Sequence, residues 1–128
     1  MITGIGTDIC LISRMKRAVV NDSFVRRVFA DEEISYAMSR GEPARHFASA
    51  FAAKEALAKA SGLGMFGMGL DGAWVRRTER GPVMMMSDET KLKLSNSGTD
   101  KCWLSLSHEG DFAMAFVVLE AAASGAGA

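Results

Sequence analysis

The chain has 128 residues, of which 48% are hydrophobic and 23% are charged, and its formal net charge is zero. This length predicts one domain with a modest core, and the neutral charge argues against a general affinity for nucleic acid. The longest uninterrupted apolar run, at 112–119, has eight residues, and the chain opens directly into a strand pattern. We therefore expect neither a signal peptide nor a membrane span.

The first ten residues alternate, with Thr3, Ile5, Thr7 and Ile9 on one side and Gly4, Gly6 and Asp8 on the other. This period of two predicts a β-strand. Its two glycines leave one face bare, which favours the close approach of another backbone or of a ligand next to Asp8. A tightly packed strand with an exposed aspartate at its end fits the pattern equally well.

Positive charge is concentrated in residues 14–27, where Asp22 is the one acid among five basic residues, Arg14, Lys16, Arg17, Arg26 and Arg27. Such a segment is either a solvated helix face or a surface that attracts an acidic partner. The hydrophobic residues within and after it would supply apolar contacts to a partner or to the core; they are Met15, Val19, Phe24, Val28 and Phe29. Residues 31–41 then predict a short helix with an acidic first turn and a stop at Gly41.

Residues 51–60 are nearly all strong helix formers, and the predicted helix opens near Pro43 and stops at Gly62. One side of this helix carries small residues around one carboxylate and one ammonium; its members are Phe51, Glu55, Ala58, Lys59 and Gly62. Glu55 and Lys59 could be an ordinary helix pair, contributing about 0.2–0.5 kcal/mol. Alternatively, Asp8 and Glu55 together could hold a hard cation such as Mg²⁺.

The second half of the chain predicts two hairpins and a weak helix. The glycines after the central helix favour a flexible loop in the second half of 61–69. A glycine-rich backbone can also bind phosphate oxygens through its N–H groups, and Gly62 and Gly64, which directly follow Lys59, are better candidates for this than Gly67 and Gly69. The elements that follow are a hairpin at 70–77 and 83–86, a helix at 87–97 and strands at 102–108 and 112–119. His108 ends the first of these last strands. The fold class is therefore α+β, a single domain over 1–120 with a mostly antiparallel sheet packed by helices, followed by a disordered tail at 121–128.

The cysteines indicate a reducing compartment. Cys10 and Cys102 each lie in a predicted strand, and their spacing suggests neither a disulfide framework nor a metal site. We expect both thiols to be reduced and buried, and the protein to be cytoplasmic.

Three separated motifs carry a resemblance to a known family. They are Gly4-Ile-Gly-Thr-Asp8-Ile9, Phe51-Ala-Ala-Lys-Glu55-Ala-Leu-Ala-Lys59-Ala60, and Leu104-Ser-Leu-Ser-His108 followed by Ala113-Met-Ala115. In this order the chain resembles holo-[acyl-carrier-protein] synthase, the small bacterial type of 4′-phosphopantetheinyl transferase. The resemblance implies Mg²⁺-dependent transfer of phosphopantetheine from coenzyme A to a serine of an acidic acyl carrier protein, free or within a larger synthase. It also implies a place in fatty acid biosynthesis.

The resemblance assigns roles to residues of this chain. Asp8 and Glu55 would hold the metal, and Lys59 would be catalytic with them. Coenzyme A would contact Lys59, Gly62, Gly64, Pro82 and His108, and the carrier protein would dock on Arg14, Arg17, Phe24, Arg26 and Arg27. The serine proton would pass to Glu55, Asp31, Glu33 or a metal-bound water. The small type forms homotrimers, and β-strand 112–119, apolar on both faces, fits an expectation that a helix layer or a neighbouring subunit covers it.

Two positions depart from the family pattern. Ala30 replaces a threonine before the short acidic helix, and Asp31 could cap that helix instead. Ala50 replaces an arginine that can meet the 3′-phosphate of coenzyme A, and Arg45, His46, Arg76 or Arg77 could compensate. A non-catalytic coenzyme A binding module and a structural oligomerisation domain are the alternative functions.

Overall fold

A computed structural model describes residues 1–123, and its longest helix, α4 (Pro43–Ser61), is the element on which the other elements pack. Pro43 occupies the first turn of α4, where its missing N–H removes no helix bond. Gly62 ends the helix in the left-handed conformation, at a φ of 75°. Both predicted ends of the central helix are therefore confirmed.

Five strands form two antiparallel sheets in the part of the chain that the structure describes. The larger sheet has the order β1-β5-β4, and its strands are β1 (Ile2–Leu11), β4 (Lys101–Glu109) and β5 (Phe112–Glu120). A separate hairpin consists of β2 (Ala73–Thr78) and β3 (Gly81–Met86). The α+β class is confirmed, but the strands divide over two sheets where the sequence predicted one, because β2 and β3 pair only with each other.

Five shorter helices complete the described chain: α1 (Ile12–Ala18), α2 (Asp22–Val28), α3 (Asp31–Met38), α5 (Gly64–Met68) and α6 (Asp88–Asn96). Side-chain caps explain where two of them begin. The side-chain oxygen of Asn21 accepts from the Phe24 N–H at the start of α2, and the hydroxyl of Ser87 accepts from the Thr90 N–H at the start of α6. The predicted helix at 87–97 is thus confirmed to within a residue at each end.

Helix α5 corrects the prediction of a flexible loop in the second half of 61–69. Glycine is a poor helix former, so the local sequence favours a loop. In the structure Met68 is buried, and Lys93 Nζ donates to the Gly67 carbonyl oxygen at 3.0 Å. Contacts with residues far along the chain therefore hold a turn of helix that its own propensity would not.

The start of α3 corrects a second prediction. Asp31 is the first helical residue and is not the cap; the cap position is Ala30. Glu33 supplies the capping bond, because its Oε1 accepts from the Ala30 N–H at 3.0 Å. Its Oε2 accepts from the Val75 N–H at 2.8 Å, which ties α3 to β2. Glu33 is buried for that reason.

Strand β1 lies against α4 through its glycines. A Cβ on Gly6 would lie 2.1 Å from the Ala56 carbonyl oxygen, and a Cβ on Gly4 would lie 2.0 Å from that of Ala60. The predicted alternation is confirmed, and the backbone that approaches the bare face is that of α4. No larger residue fits at either position unless the strand moves away from the helix.

The two faces of the larger sheet differ in exposure. On β5 the face towards α4 is buried, and its members are Ala113, Ala115, Val117 and Leu119. The opposite face is open: Ile5 and Ile9 of β1 are 62% and 60% exposed, and Phe116 of β5 is 42% exposed. No helix of the described chain covers this outer face. Its other large apolar members are Trp103, Phe112 and Met114.

The structure also bears on the predictions for the cysteines, for a membrane span and for the C-terminal tail. Cys10 and Cys102 are free, as expected, but they are partly buried rather than buried. Among residues 1–123 there is no helix with the length and apolarity that crossing a bilayer would require. Of the predicted tail, 121–123 has no regular structure, with the Ala121 N–H donating to the Met1 carbonyl oxygen, and 124–128 lies outside the described residues.

Candidate active site

Asp8, Glu55 and Lys59 meet where the last turns of α4 cross β1. Lys59 Nζ lies 3.1 Å from Asp8 Oδ1 and donates to the Thr7 carbonyl oxygen at 3.0 Å. Glu55 precedes Lys59 by one helical turn, so both side chains leave α4 on the same side. The strand and the helix thus bring two carboxylates and one ammonium together.

These carboxylates line an open groove with a volume of about 520 Å³. Its other walls come from β1, α1, α2 and α4, and the lining residues beside Asp8 and Glu55 are Ile9, Cys10, Arg14, Met15, Ala18, Phe24 and Phe51. The groove combines the carboxylates of Asp8 and Glu55 and the guanidinium group of Arg14 with apolar side chains. This combination suits a ligand that carries both phosphate groups and a chain of carbon atoms.

The electrostatics of the groove favour a cation. Partial burial raises the pKa of Glu55, and the nearby charge of Asp8 raises it further, while Lys59 acts in the opposite direction. The pKa of the Cys10 thiol is raised by burial and then by Asp8, so Cys10 stays protonated at neutral pH and is a poor nucleophile. Two carboxylates held in one groove repel each other, and a bound cation would relieve that repulsion.

The donor set fits one class of metal ion. Within residues 1–123 no group of three or more His, Cys, Asp or Glu side chains is placed to form a complete protein cage for a metal ion. The pair of Asp8 and Glu55 instead suits an ion that takes one or two protein carboxylates and completes its shell with water and substrate phosphate oxygens. Mg²⁺ binds in this way.

The expected phosphate-binding residues fall into two groups. Gly62 and Gly64 follow Lys59 directly, with φ values of 75° and 69°, and nothing lies within 4 Å of a Cβ built on either one. The space beside both glycines is therefore open to a ligand, although the Gly62 N–H already donates to the Lys59 carbonyl oxygen at 3.2 Å. Pro82 lies in β3 opposite Arg77, and His108 lies at the exposed end of β4; neither lines the groove of its own chain.

The expected docking residues form the rim and the adjoining surface. Arg14 and Phe24 line the groove itself. Arg17, Arg26 and Arg27 are exposed on α1 and α2, where Arg26 Nε lies 2.8 Å from Asp22 Oδ2. A partner held by Arg14 would therefore lie next to the carboxylates, whereas Arg26 and Arg27 line a separate cavity beside Trp74.

Neither Asp31 nor Glu33 lines the groove. Both carboxylate oxygens of Glu33 accept hydrogen bonds from backbone N–H groups, and burial raises the pKa of this carboxyl. Of the two roles open to Glu33, helix cap and general base, the structure therefore supports the helix cap.

Two of the residues expected to compensate for Ala50 lie beside it. His46 and Arg77 line a cavity of about 150 Å³ together with Ala50. Arg45 is 3.6 Å from Glu42, and Arg76 is exposed and bonded to Glu32. The positive charge beside Ala50 therefore comes from Arg77 of β2, while His46 of α4 contributes an imidazole whose pKa is lowered by burial and by the neighbouring arginines.

Lys54 was missed by the sequence reasoning. It is 2% exposed, and its Nζ donates to the carbonyl oxygens of Val28, at 2.5 Å, and of Leu70. Burial lowers its pKa, and the charge of Glu33 acts in the opposite direction. The lysine fixes α4, one residue before Glu55, against the end of α2 and against the segment between α5 and β2. Lys54 is separated by three, four or seven residues from Leu57, Ala50 and Phe47, which are all buried. This helical spacing indicated that Lys54 lies on the buried side of α4.

Comparison with known proteins gives a consistent result. The model of the 4′-phosphopantetheinyl transferase superfamily matches residues 4–117. A holo-[acyl-carrier-protein] synthase of Clostridium botulinum is 40% identical over 122 residues, which is 94% of this chain and 98% of that protein. The corresponding protein of Geotalea daltonii is also 40% identical, over 94% of this chain and 99% of its own.

Solved structures agree with these relatives. The holo-[acyl-carrier-protein] synthase of Neisseria meningitidis superposes with a TM-score of 0.85 at 35% identity, covering 94% of this chain and 99% of that one. A holo-(acyl-carrier-protein) synthase of Bacillus anthracis, in complex with CoA (3′,5′-ADP), gives 0.78 at 32% identity, with coverage of 95% and 99%.

Proposed function

The chain belongs to the 4′-phosphopantetheinyl transferase superfamily, and we propose that Asp8, Glu55 and Lys59 form its catalytic centre. It transfers the 4′-phosphopantetheine group from coenzyme A to a serine hydroxyl of an apo acyl carrier protein. The products are holo carrier protein and adenosine 3′,5′-bisphosphate. The observation that carries the site is the meeting of both carboxylates and the lysine in one groove.

We propose that Asp8 and Glu55 hold Mg²⁺. Two observations support Mg²⁺ as the ion. The two carboxylates repel each other, and together they would leave coordination positions of the ion free for water and for substrate phosphate oxygens. When bound, the ion would neutralise the pyrophosphate oxygens and make the phosphorus atom easier to attack.

The side chains of the groove supply the remaining chemistry. Lys59 offsets negative charge on the leaving phosphate, and the backbone N–H of Gly64 donates to a phosphate oxygen that Gly62, which has no side chain, allows to approach. Glu55, or a water molecule beside it, accepts the proton of the attacking serine, because Glu55 lines the groove that the serine must enter. Positioning and charge stabilisation account for most of the catalysis in a phosphoryl transfer of this kind.

The carrier protein docks on the basic segment. Its acidic surface would meet Arg14, Arg17, Arg26 and Arg27, and Phe24 would give an apolar contact at the rim of the groove. Because Arg14 and Phe24 line the groove that contains Glu55, docking there would bring the serine to the reacting phosphorus. Steering by opposite charge raises the rate of such encounters.

We also propose a homotrimer with active sites at the subunit interfaces. The open face of the larger sheet, with Trp103, Phe112 and Phe116 all more than two-fifths exposed, is the surface that association would cover. Pro82 and His108, which do not line their own groove, would contact coenzyme A bound to a neighbouring subunit. Closed symmetry covers the face without forming open chains. The free thiols of Cys10 and Cys102 suit a cytoplasmic location.

The decisive experiment incubates the protein with coenzyme A, Mg²⁺ and several apo carrier proteins and measures carrier mass. Addition of a phosphopantetheine arm is expected, and omission of Mg²⁺ should abolish it. Binding of coenzyme A with no gain on any carrier would instead identify a non-catalytic binding module. Absence of both binding and transfer would identify an oligomerisation domain.

A further inference from the structure

Asp111, in the turn between β4 and β5, holds the first turn of α1. Its carbonyl oxygen accepts from the Ile12 N–H at 2.8 Å. Its carboxylate contacts Ser13 twice: Oδ1 accepts from the Ser13 N–H at 2.8 Å, and Oδ2 accepts from the Ser13 hydroxyl at 2.5 Å. One residue at the tip of a hairpin therefore makes three hydrogen bonds to the start of a helix that lies 98 positions earlier in the chain.

Helix α1 depends on this cap because its own sequence supplies none. The residue before the helix is Leu11, whose side chain cannot accept a hydrogen bond, and the first turn contains no acidic residue. With seven residues, α1 is also shorter than a helix must be to form on its own in water. A carboxylate at a helix N-terminus satisfies free N–H groups and is favoured by the helix dipole. Asp111 is therefore the cap that the local sequence lacks.

The Asp111 contacts act at the point where α1 leaves the larger sheet. Strand β1 ends at Leu11 and α1 begins at Ile12, so no loop separates the two elements. Leu11 pairs with Phe112, the residue after Asp111, and the sheet thereby brings the β4–β5 turn to this junction. Met15, which is buried, holds the next turn of the helix. The direction of α1 is thus set by the cap at one end of this turn and by packing at the other.

Arg14, the residue after Ser13, is the part of α1 that reaches the groove. It lines the groove together with Asp8 and Glu55, and the proposed function gives it a contact with the acidic carrier protein. Its side chain is exposed, and none of the ion pairs among residues 1–123 includes it. No carboxylate of the described chain therefore holds Arg14 in place, and its position depends on the helix that carries it.

We propose that Asp111 is a positioning residue for the carrier protein: by capping α1, it holds Arg14 at the groove, ready to meet an acidic side chain of the carrier. Asp111 does not line the groove of its own chain, so it acts through α1 and not on the reacting atoms. Its loss should weaken docking of the carrier and spare the chemical step. This inference rests on the proposed function and on the proposed docking at Arg14.

A second route of action makes a different prediction. The same turn follows His108, which is expected to contact coenzyme A. If Asp111 acted by placing His108, its loss would raise the KM for coenzyme A. If it acts by placing Arg14, its loss raises the KM for the carrier protein instead. The two KM values therefore separate the two routes.

The first test measures steady-state kinetics of two Asp111 variants. In Asp111→Ala the KM for the carrier should rise about fivefold, the size of effect expected for loss of a helix cap. The KM for coenzyme A and the kcat at saturating carrier should change little. Asp111→Asn should restore most of the wild-type KM, because asparagine caps helices about as well as aspartate. Asp111 is exposed, so folding is not at risk, and thermal melts check this.

Ser87→Ala is the matched control. It removes the cap of α6, where the Ser87 hydroxyl accepts from the Thr90 N–H at 3.2 Å. It should lower the melting temperature as a lost cap does, yet keep the wild-type KM for both substrates, because α6 contributes no residue to the groove. A cap that is only structural would behave in the same way in both helices.

The second test combines Asp111→Ala with Arg14→Gln. Two residues that act through one contact are not additive, so Asp111→Ala should add less than about twofold to the KM for the carrier once Arg14 is gone. In a chain that keeps Arg14, the same substitution should give its full effect. A full further rise in the double variant would show that Asp111 acts elsewhere.

Three more results would overturn the assignment: an unchanged KM for the carrier in folded Asp111→Ala, a rise confined to the KM for coenzyme A, or an equal rise in Ser87→Ala. Failure of the proposed function looks different. A wild type that makes no holo carrier protein would remove that function and this inference with it, and a wild-type KM in Arg14→Gln would do the same for the docking surface. A raised KM in Arg14→Gln with none in Asp111→Ala would refute the positioning role alone.

Discussion

Lys59 Nζ lies 3.1 Å from Asp8 Oδ1, joining α4 to β1 at the point where the metal is expected. The Lys59 side chain is 57% exposed and that of Asp8 is 19% exposed, so solvent screens the pair mainly at its lysine end and its contribution to stability is modest. The pair matters for function, because the carboxylate that is bonded to Lys59 is also the proposed metal ligand. Lysine and cation therefore compete for Asp8 until the substrate phosphates give Lys59 another partner.

Lys59→Met should change turnover and metal affinity in opposite directions. We expect about a 100-fold loss of kcat, because charge on the leaving phosphate is no longer offset. Affinity for Mg²⁺ measured without coenzyme A should rise about two- to fivefold, since a surface ion pair on Asp8 is removed. Calorimetry and steady-state kinetics check the two effects. Exposed Lys91→Met is the control, and a metal affinity that falls in Lys59→Met would contradict the competition.

Glu55→Gln should lower activity by at least about 100-fold while leaving the fold at least as stable. The pKa of Glu55 is raised in the folded state, so its ionised form costs stability at neutral pH; that cost falls once the pH is below the folded pKa and is gone below the unfolded pKa. The variant should therefore melt slightly higher than wild type at pH 7, with a difference that shrinks in acid. Thermal melts across pH check this, with exposed Glu109→Gln as control. A variant less stable at pH 7 would show that Glu55 is held by favourable contacts instead.

Gly6→Ala should destabilise the protein by about 3 kcal/mol. The added Cβ would lie 2.1 Å from the Ala56 carbonyl oxygen, and both partners are backbone, so neither can rotate away. Gly41→Ala provides a matched control, because nothing lies within 4 Å of a Cβ there. Its unfolding free energy should stay within about 0.5 kcal/mol of wild type. Urea unfolding measures both, and equal stability of the two variants would mean that β1 can move off α4 at little cost.

Charge removal on the docking surface should affect the carrier protein and spare the nucleotide. In Arg14→Gln and Arg27→Gln combined, we expect KM for the carrier to rise about tenfold, with a weaker dependence on salt. The KM for coenzyme A and the kcat at saturating carrier should change little. Arg80→Gln, an exposed arginine in the β2–β3 turn, should behave like wild type. A loss confined to kcat would place these arginines in the chemical step.

Phe116→Glu should disrupt assembly. Phe116 is 42% exposed in the middle of the open sheet face, and a charge there would have to be buried if a second subunit covered that face. Light scattering should give a monomer mass for the variant and a trimer mass for the wild type. Leu92→Glu, on an apolar residue of α6 that is 61% exposed, should leave the trimer intact. A wild type that scatters as a monomer and keeps full activity at nanomolar concentration would refute the trimer.

Local chemistry determined what the sequence could predict. Pro43 and Gly62 act on their own backbone, so the ends of α4 were predictable. The bare face of β1 was predictable because alternation is a property of the strand itself. It was harder to predict which elements pack or pair with each other. The sequence does not show that β2 and β3 form a sheet separate from the larger one, and α5 depends on the hydrogen bond from Lys93 to the Gly67 carbonyl oxygen.

The candidate site divides in the same way. Asp8, Glu55 and Lys59 were identified from motif residues, and the fold brings them together. The side chains beside Ala50 were identified only in part, because Arg77 and His46 were considered but Tyr36 and Arg40, whose side chains contact each other, were not. The contact between Tyr36 and Arg77 depends on the angle between α3 and β2, and the spacing of residues along the chain does not predict that angle.

The contact between β1 and α4 constrains how this protein can change over generations. Gly4 and Gly6 accept no larger side chain because α4 lies against them, and Asp8 on the same face is tied to Lys59. Ile5 and Ile9, on the other face, are restricted only by what covers them. Tolerance to substitution along β1 should therefore alternate residue by residue, and a saturation library of this strand should record selection for chemistry and selection for assembly as two interleaved series.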